Sequence, residues 1–252
     1  YDLAGLDVPS AQAAGFRSAE LLRFRANRSR FFRDCLKRNY LVVLDYLVLH
    51  GRGVVNTVIY CLLSISTHLL VNPLAAYALS RYKLPSTYKI LLFCMATMAF
   101  PPAVCMIPNF LLLRELNLLN TFAALILPGM ANGYSIFLLK GFFDSLPQEL
   151  YEAADIDGAS EWRKFWMITM ALSKPILAVI ALGAFTAAYS NFMFALIIVP
   201  DQKMWTLMVW LYDLQTNAHQ AISYAALCLA AVPTLLVFIF CFTSFGVILI
   251  LG

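Results

Sequence analysis

Five apolar runs, each long enough to cross a bilayer, alternate with polar intervals along the chain, at about 54–79, 90–112, 122–140, 175–199 and 222–250. A hydrocarbon core of roughly 30 Å takes about 20 apolar residues of helix, so the pattern predicts five helical spans. The last run is long enough to tilt, or to break at Pro233. Pro101, Pro102 and Pro108 in the second run predict a kink, because each removes a helix hydrogen bond and leaves a carbonyl for neighbours or water to satisfy. The interval 200–219, with Asp201, Lys203, Trp205 and Asp213, reads as a loop on the outer face.

The polar interval from Ser145 to Pro175 is the longest that is compatible with water between two strongly apolar runs. Ser145 and Gln148 have the spacing of a capping box, and Pro147 fits a first turn. Glu149, Leu150, Glu152, Ala153 and Ala154 favour helix, with carboxylates near the positive end of its dipole. Asp157-Gly158 predicts a stop, since glycine accepts positive φ. Ser160 then caps a second helix, on which Trp162, Phe165, Trp166 and Thr169 recur at i, i+3, i+4 and i+7. The interval is therefore helix, glycine turn and aromatic-faced helix, presented as a docking element; its alternative is a solvated amphipathic connector.

Composition agrees with a lipid solvent: 62% of residues are hydrophobic and 13% charged, against about 25% charged in soluble domains. All 14 acidic residues fall outside the five runs. An ion-coupled carrier keeps an ionisable group at depth, and an intramembrane metalloenzyme needs several ligands on facing helices, so both classes are disfavoured. His68, the one histidine inside a run, reads as a hydrogen-bonded packing residue, since His50 and His219 lie too far off for metal-ligand spacing. No phosphate-binding G-x-x-x-x-G-K-[ST] loop is present. The six cysteines form no C-x-x-C pair and read as small packing residues. The net charge of +4 is concentrated in residues 1–53, which hold nine of the basic side chains, from Arg17 to Arg52. Taken alone this segment would be cytoplasmic by the positive-inside rule, but Arg81, Lys83, Lys89, Lys140, Arg163, Lys164 and Lys174 put the later loops there instead. With five spans the two ends lie on opposite faces, so residues 1–53 are expected outside. A basic arm on anionic lipid is the alternative, and a basic stretch alone gives no reason to expect nucleic acid.

Glu152-Ala153-Ala154, Gly158 and Ile168 resemble the EAA signature of permease subunits of binding-protein-dependent ABC importers. Asn56-Thr57, Ala75–Arg81, Ile107-Pro108, Leu118–Thr121 and Lys140–Phe143 resemble the carbohydrate, maltose-type branch, over roughly Asn39 to the C-terminus. Two departures stand out. Met170 and Ala171 replace a family Leu and Pro, with Pro175 kept, and Ser190 replaces the tryptophan of a Trp-Asn pair matching Asn191-Phe192.

The resemblance implies an all-α polytopic fold of MetI-like type, with a first span upstream of Tyr1 translocating the basic segment. It implies a cytoplasmic coupling loop over 141–174, in which Glu152, Ala153, Ala154, Asp157, Gly158 and Ala159 seat in a cleft of the ATPase. Glu152 would pair with a basic group there, the small residues would allow close approach, and Asp157 would steady the turn. Asn132, Tyr189, Asn191 and Phe192 are the candidate pathway residues, since aromatic faces and amides suit a sugar; interhelical contacts and an interfacial aromatic belt are their ordinary alternatives. The implied assembly joins this chain to a second permease subunit as a heterodimer, two ATP-binding subunits and an extracytoplasmic solute-binding protein. The chain itself binds no cofactor, and ATP with Mg belongs to the partner. A permease for a non-sugar solute, an ion-coupled carrier and a non-transporting membrane anchor are the alternatives.

Overall fold

A computed structural model of the chain describes residues 37, 40–44, 52–82, 85–217 and 220–251, all in helices and short connections. The first apolar run forms the axis of the fold. Helix α1, Gly53–Arg81, has 29 residues and keeps Pro73 inside it; at 1.5 Å per residue it is about 43 Å long. Its wall of small and polar residues, Asn56, Thr57, Ser64, Asn72 and Ala76, is buried by neighbouring helices, while Val55, Val58 and Leu62 face outward.

The second run is broken rather than kinked. Helices α2 (Thr87–Thr97) and α3 (Pro102–Glu115) meet at 97°. Pro102 holds the preceding residue out of helical space, and Pro101 adopts φ −60° and ψ 131°. Pro108 lies inside α3 without ending it. The third run is likewise divided, into α4 (Phe122–Ile126), a 3₁₀ turn over Leu127–Gly129 and α5 (Gly133–Asp144), bent by 53°. The polar interval from Ser145 to Pro175 forms α6 (Glu149–Ile156) and α7 (Glu161–Lys164), the latter continuing as a π-helix over Phe165–Met170. It joins α8 (Lys174–Ser190) at 85°, with Pro175 in the first turn of α8.

Two sequence expectations are corrected here. The run 175–199 is not one helix: α8 stops at Ser190, Asn191 leaves helical space at ψ 71°, and a separate α9 spans Phe192–Ile198. The interval 200–219 is not only a loop, because α10 occupies Leu207–Asn217. Leu207, Trp210, Leu211 and Leu214 supply its buried stripe at helical spacing. Helix α11, Gln220–Leu251, contains Pro233. Among the described residues, α1 and Ile222–Ile239 are long and apolar enough to cross a membrane, and five spans result if each bent pair counts as one.

Two buried clusters sit toward opposite ends of α1. Near its start, Tyr60 and Cys61 join Leu125, Tyr189, Ile198 and Trp210, together with Val43 from the short helical stretch 40–44. Near its end, Ala76 and Tyr77 pack with Leu139, Phe143, Tyr151, Phe165 and Ile180. The sides left open are apolar, with Tyr88, Phe93 and Ile107 each at least 70% exposed, a surface suited to lipid or another membrane helix. Most of residues 1–53, and with them the outer placement expected for that segment, lie outside the described residues.

Candidate functional site

The docking interval folds from its own sequence as far as the turn. Helix α6 ends in a Schellman arrangement: the Gly158 N–H donates to Asp155 O at 3.0 Å and the Ala159 N–H to Ala154 O at 2.9 Å. Gly158 carries the positive φ this demands, +68°, and nothing lies within 4 Å of where a Cβ would stand, so glycine is needed there for backbone freedom. Ser160 caps α7, its hydroxyl accepting from the Arg163 N–H at 3.4 Å. The capping box at Ser145 and Gln148 does not form. The Ser145 hydroxyl donates back to Phe142 O at 2.6 Å, finishing α5, and Gln148 donates its amide to Glu152 at 2.8 Å.

The aromatic stripe also divides. Phe165 and Thr169 are fully buried, whereas Trp162 and Trp166 are 59% and 41% exposed. The wider π turn from Phe165 onward changes which face looks inward. The exposed tip combines Glu152, Ala153, Asp157 and Gly158 with Ile156, which is 88% exposed; Ala154 and Ala159 are half-buried beside a recess of about 210 Å³ that Arg163 and Met167 also line.

The roots of this tip are tied to the transmembrane helices by contacts that sequence reasoning did not identify. Tyr151 is buried, and its hydroxyl pairs with that of Thr169 at 2.8 Å, joining α6 to the π-helix. The Arg81 guanidinium lies 3.6 Å above the Tyr151 ring and donates to Phe143 O at 2.6 Å, joining the end of α1 to α5 and α6. The Tyr77 hydroxyl donates to Glu161 at 2.9 Å, and its ring meets Phe165 edge-on at 5.3 Å. Lys164 is buried and bridges Asp155 and Glu161 across the glycine turn. The hydrogen bond to Asp155, with a second to Glu161, raises the Lys164 pKa, and Lys164 in turn holds the Glu161 carboxyl below its ordinary value. Asp155 and Lys164 are nine residues apart, so their pairing has no local signature.

A second feature lies between the helices. Tyr60, Ser64 and His68, at i, i+4 and i+8 of α1, form one wall of a cavity of about 500 Å³ that α3, the α4–α5 break and the α8–α9 break complete. Asn132 and Asn191 line it, each at a break in a helical run. Asn132 caps α5, accepting from the Ser135 N–H at 2.9 Å, while its own N–H is held by Asn72 at 2.8 Å. Asn191 donates to the Tyr60 hydroxyl at 2.9 Å. The structure does not bring Tyr189 and Phe192 into this lining. Tyr189 is buried and donates to Ala230 O at 2.5 Å, an anchor of α8 on α11, and Phe192 packs on Tyr212 at 4.7 Å between ring centres. His68 is hydrogen-bonded as expected, to Ser64 O at 2.9 Å, yet it also lines the cavity.

The family described as binding-protein-dependent transport system inner membrane component matches residues 51–251. The diacetylchitobiose uptake system permease protein NgcG of Streptomyces coelicolor is 31% identical over 194 residues, 75% of this chain and 64% of that protein. The maltodextrin transport system permease protein MalD of Streptococcus pneumoniae is 31% identical over 197 residues, 76% of this chain and 70% of that protein. The chain thus spans a little under two thirds of the first of these relatives. A bacterial ABC transporter involved in the import of the acidic polysaccharide alginate has a chain of similar structure, with a TM-score of 0.68, 25% identity, and coverage of 79% of this chain and 76% of that one.

Proposed function

The chain belongs to the family of inner membrane components of binding-protein-dependent transport systems, and we propose on that premise that it lines half of an import pathway for a sugar or oligosaccharide. A second permease subunit supplies the other half, as a heterodimer. An extracytoplasmic binding protein delivers the solute, and two ATP-binding subunits, which carry the nucleotide and Mg, drive the cycle. In this reading residues 141–174 are cytoplasmic, residues 1–53 external, and Glu152, Ala153, Ala154, Asp157, Gly158 and Ala159 seat on the ATPase.

The observation that carries the reading is the connection between the loop and the cavity. One helix, α1, holds the roots of the docking tip through Tyr77 and Arg81 and the cavity wall through Tyr60, Ser64 and His68. Displacement of the tip therefore moves a pathway wall through packed side chains rather than through a flexible linker. Amides, hydroxyls and apolar surface in the cavity support a sugar as the solute. A secondary carrier is disfavoured by the carboxylate-free spans, since it would need a coupling ion at depth.

The test is co-expression with the adjacent gene products, purification on a tag carried by this chain, and ATP-dependent uptake in proteoliposomes. Recovery of an ATPase subunit that Glu152→Lys weakens is expected. Purification with no ATPase, or uptake driven by a proton or sodium gradient without ATP, would sink the reading.

A further inference from the structure

The relatives named above take both uncharged and acidic saccharides, so kinship leaves the charge class of the solute open. The lining of the cavity bears on it. Among the described residues it contains no carboxylate, ammonium or guanidinium. Its polar groups are partly spent on the protein itself, and what remains can be counted. His68 uses Nδ1–H on Ser64 O, which can only accept, so Nε2 is the ring nitrogen left for the solute. Asn191 spends one amide N–H on Tyr60 and keeps the other together with its oxygen. Asn132 spends its oxygen on the Ser135 N–H and keeps its amide donors. Asn109, half-buried on α3, has neither end engaged among the described residues. Met106 and Phe194 add apolar surface.

The free inventory is therefore mixed, acceptors and donors together, and no carboxylate, ammonium or guanidinium stands among it. An anion needs donors only and a cation acceptors only, and either would give up water against this wall with no carboxylate, ammonium or guanidinium of this chain to meet it, at a cost of several kcal/mol. A hydroxyl both donates and accepts. We infer that the cavity takes an uncharged, hydroxyl-rich solute, a neutral saccharide unit, with His68 Nε2 and the Asn109 amide as contacts of this chain alongside Asn132 and Asn191. This rests on the importer reading above. The volume lies within the range of about 300–1,000 Å³ usual for ligand sites, and the apolar side chains suit the C–H faces of a pyranose.

The experiment uses the complete importer, with its binding protein and ATPases, in proteoliposomes. Tritiated maltodextrins and diacetylchitobiose are compared with oligogalacturonates and oligoalginates of matched length, as uptake and as stimulation of ATP hydrolysis by the loaded binding protein. Neutral glycans are expected to accumulate and uronates not. His68→Leu and Asn109→Leu should each raise the KM for the neutral glycan about tenfold, the effect of one lost hydrogen bond. His68→Gln, which keeps an acceptor, should stay nearer the parent, and Cys228→Ser, exposed on α11 away from the cavity, should leave KM unchanged. Accumulation of uronates in preference to neutral glycans overturns the inference, as does an unchanged KM in both leucine variants. Failure of every glycan to be taken up or to stimulate hydrolysis, while another solute class does both, overturns the sugar reading itself and the inference with it.

Discussion

The Lys164 ammonium lies 2.6 Å from Asp155 Oδ1, across the glycine turn that ends α6 and precedes α7. With Glu161 as its second partner, and Glu161 in turn bonded to Tyr77, it joins α6, α7 and α1. Its side chain is 7% exposed while the carboxylates are 61% and 51% exposed, so the lysine, not its partners, has given up its water. Lys164→Met should destabilise the loop by about 1–3 kcal/mol, below the cost of breaking a fully buried pair because the carboxylates can rehydrate. Limited proteolysis at the loop should read this, with Lys164→Arg recovering part of the protection.

The same group gives a pH expectation. Glu161 has a lowered pKa, so its contribution is present above its ordinary value and is lost as the pH falls through the lowered one. Lys164 has a raised pKa, so its contribution is complete below its ordinary value and is lost only as the pH climbs through the raised one. Between about pH 5 and pH 10, set by ordinary values of about 4.3 and 10.4, the clamp should hold without change. Trp162 fluorescence followed against pH checks this; a transition near neutrality that vanishes in Lys164→Met would contradict it.

Gly158 has φ +68° and open space around it. Gly158→Val should therefore cost strain alone, roughly 1–2 kcal/mol at that position, and abolish transport while leaving membrane insertion intact. Gly158→Asn, which tolerates the left-handed region, should keep most uptake. If asparagine and valine behave alike, crowding at the exposed tip rather than backbone conformation governs the position.

Gly133 is a different kind of glycine. A Cβ there would overlap the backbone carbonyl of Cys94, where α5 crosses α2. Gly133→Ala should force these helices apart and lower the thermal midpoint in detergent by several degrees, in line with a cost of about 1–3 kcal/mol for overpacking. A midpoint equal to the parent's would show that α2 yields freely.

Tyr189 and Asn191 should separate as anchor and lining. Tyr189→Phe removes the bond to Ala230 O and should cost about 1 kcal/mol of stability with KM unchanged. Asn191→Leu removes the bond to Tyr60 and a polar group from the cavity, and should act on transport more than on stability. Thermal melts set beside uptake kinetics for both variants distinguish the roles; a KM effect at Tyr189 and none at Asn191 would reverse them.

Local rules carried the sequence reading a long way. Asp157-Gly158 and Ser160 needed only their neighbours to specify a helix stop and a helix start, because capping acts over three or four residues. The same locality misled at Ser145, where a capping-box spacing sits at the end of α5 and its hydroxyl turns back to Phe142. The Trp162–Thr169 stripe assumed 3.6 residues per turn and met a π-helix instead. The helix at 207–217 has Leu207, Trp210, Leu211 and Leu214 at helical spacing, a pattern that the reading of 200–219 as a loop passes over.

The sequence by itself determined that the chain lives in lipid, where its apolar runs fall, and that a short helix–glycine–helix protrudes between two of them. These follow from hydration and from short-range backbone chemistry, which each residue carries wherever the chain goes. Tertiary structure alone decided that Lys164 reaches Asp155, that Tyr77 reaches Glu161 from 84 positions away, and that His68, Asn109, Asn132 and Asn191 share one cavity. Such meetings depend on the angles at which helices break and cross, and those angles are set by packing among distant segments rather than by any one of them.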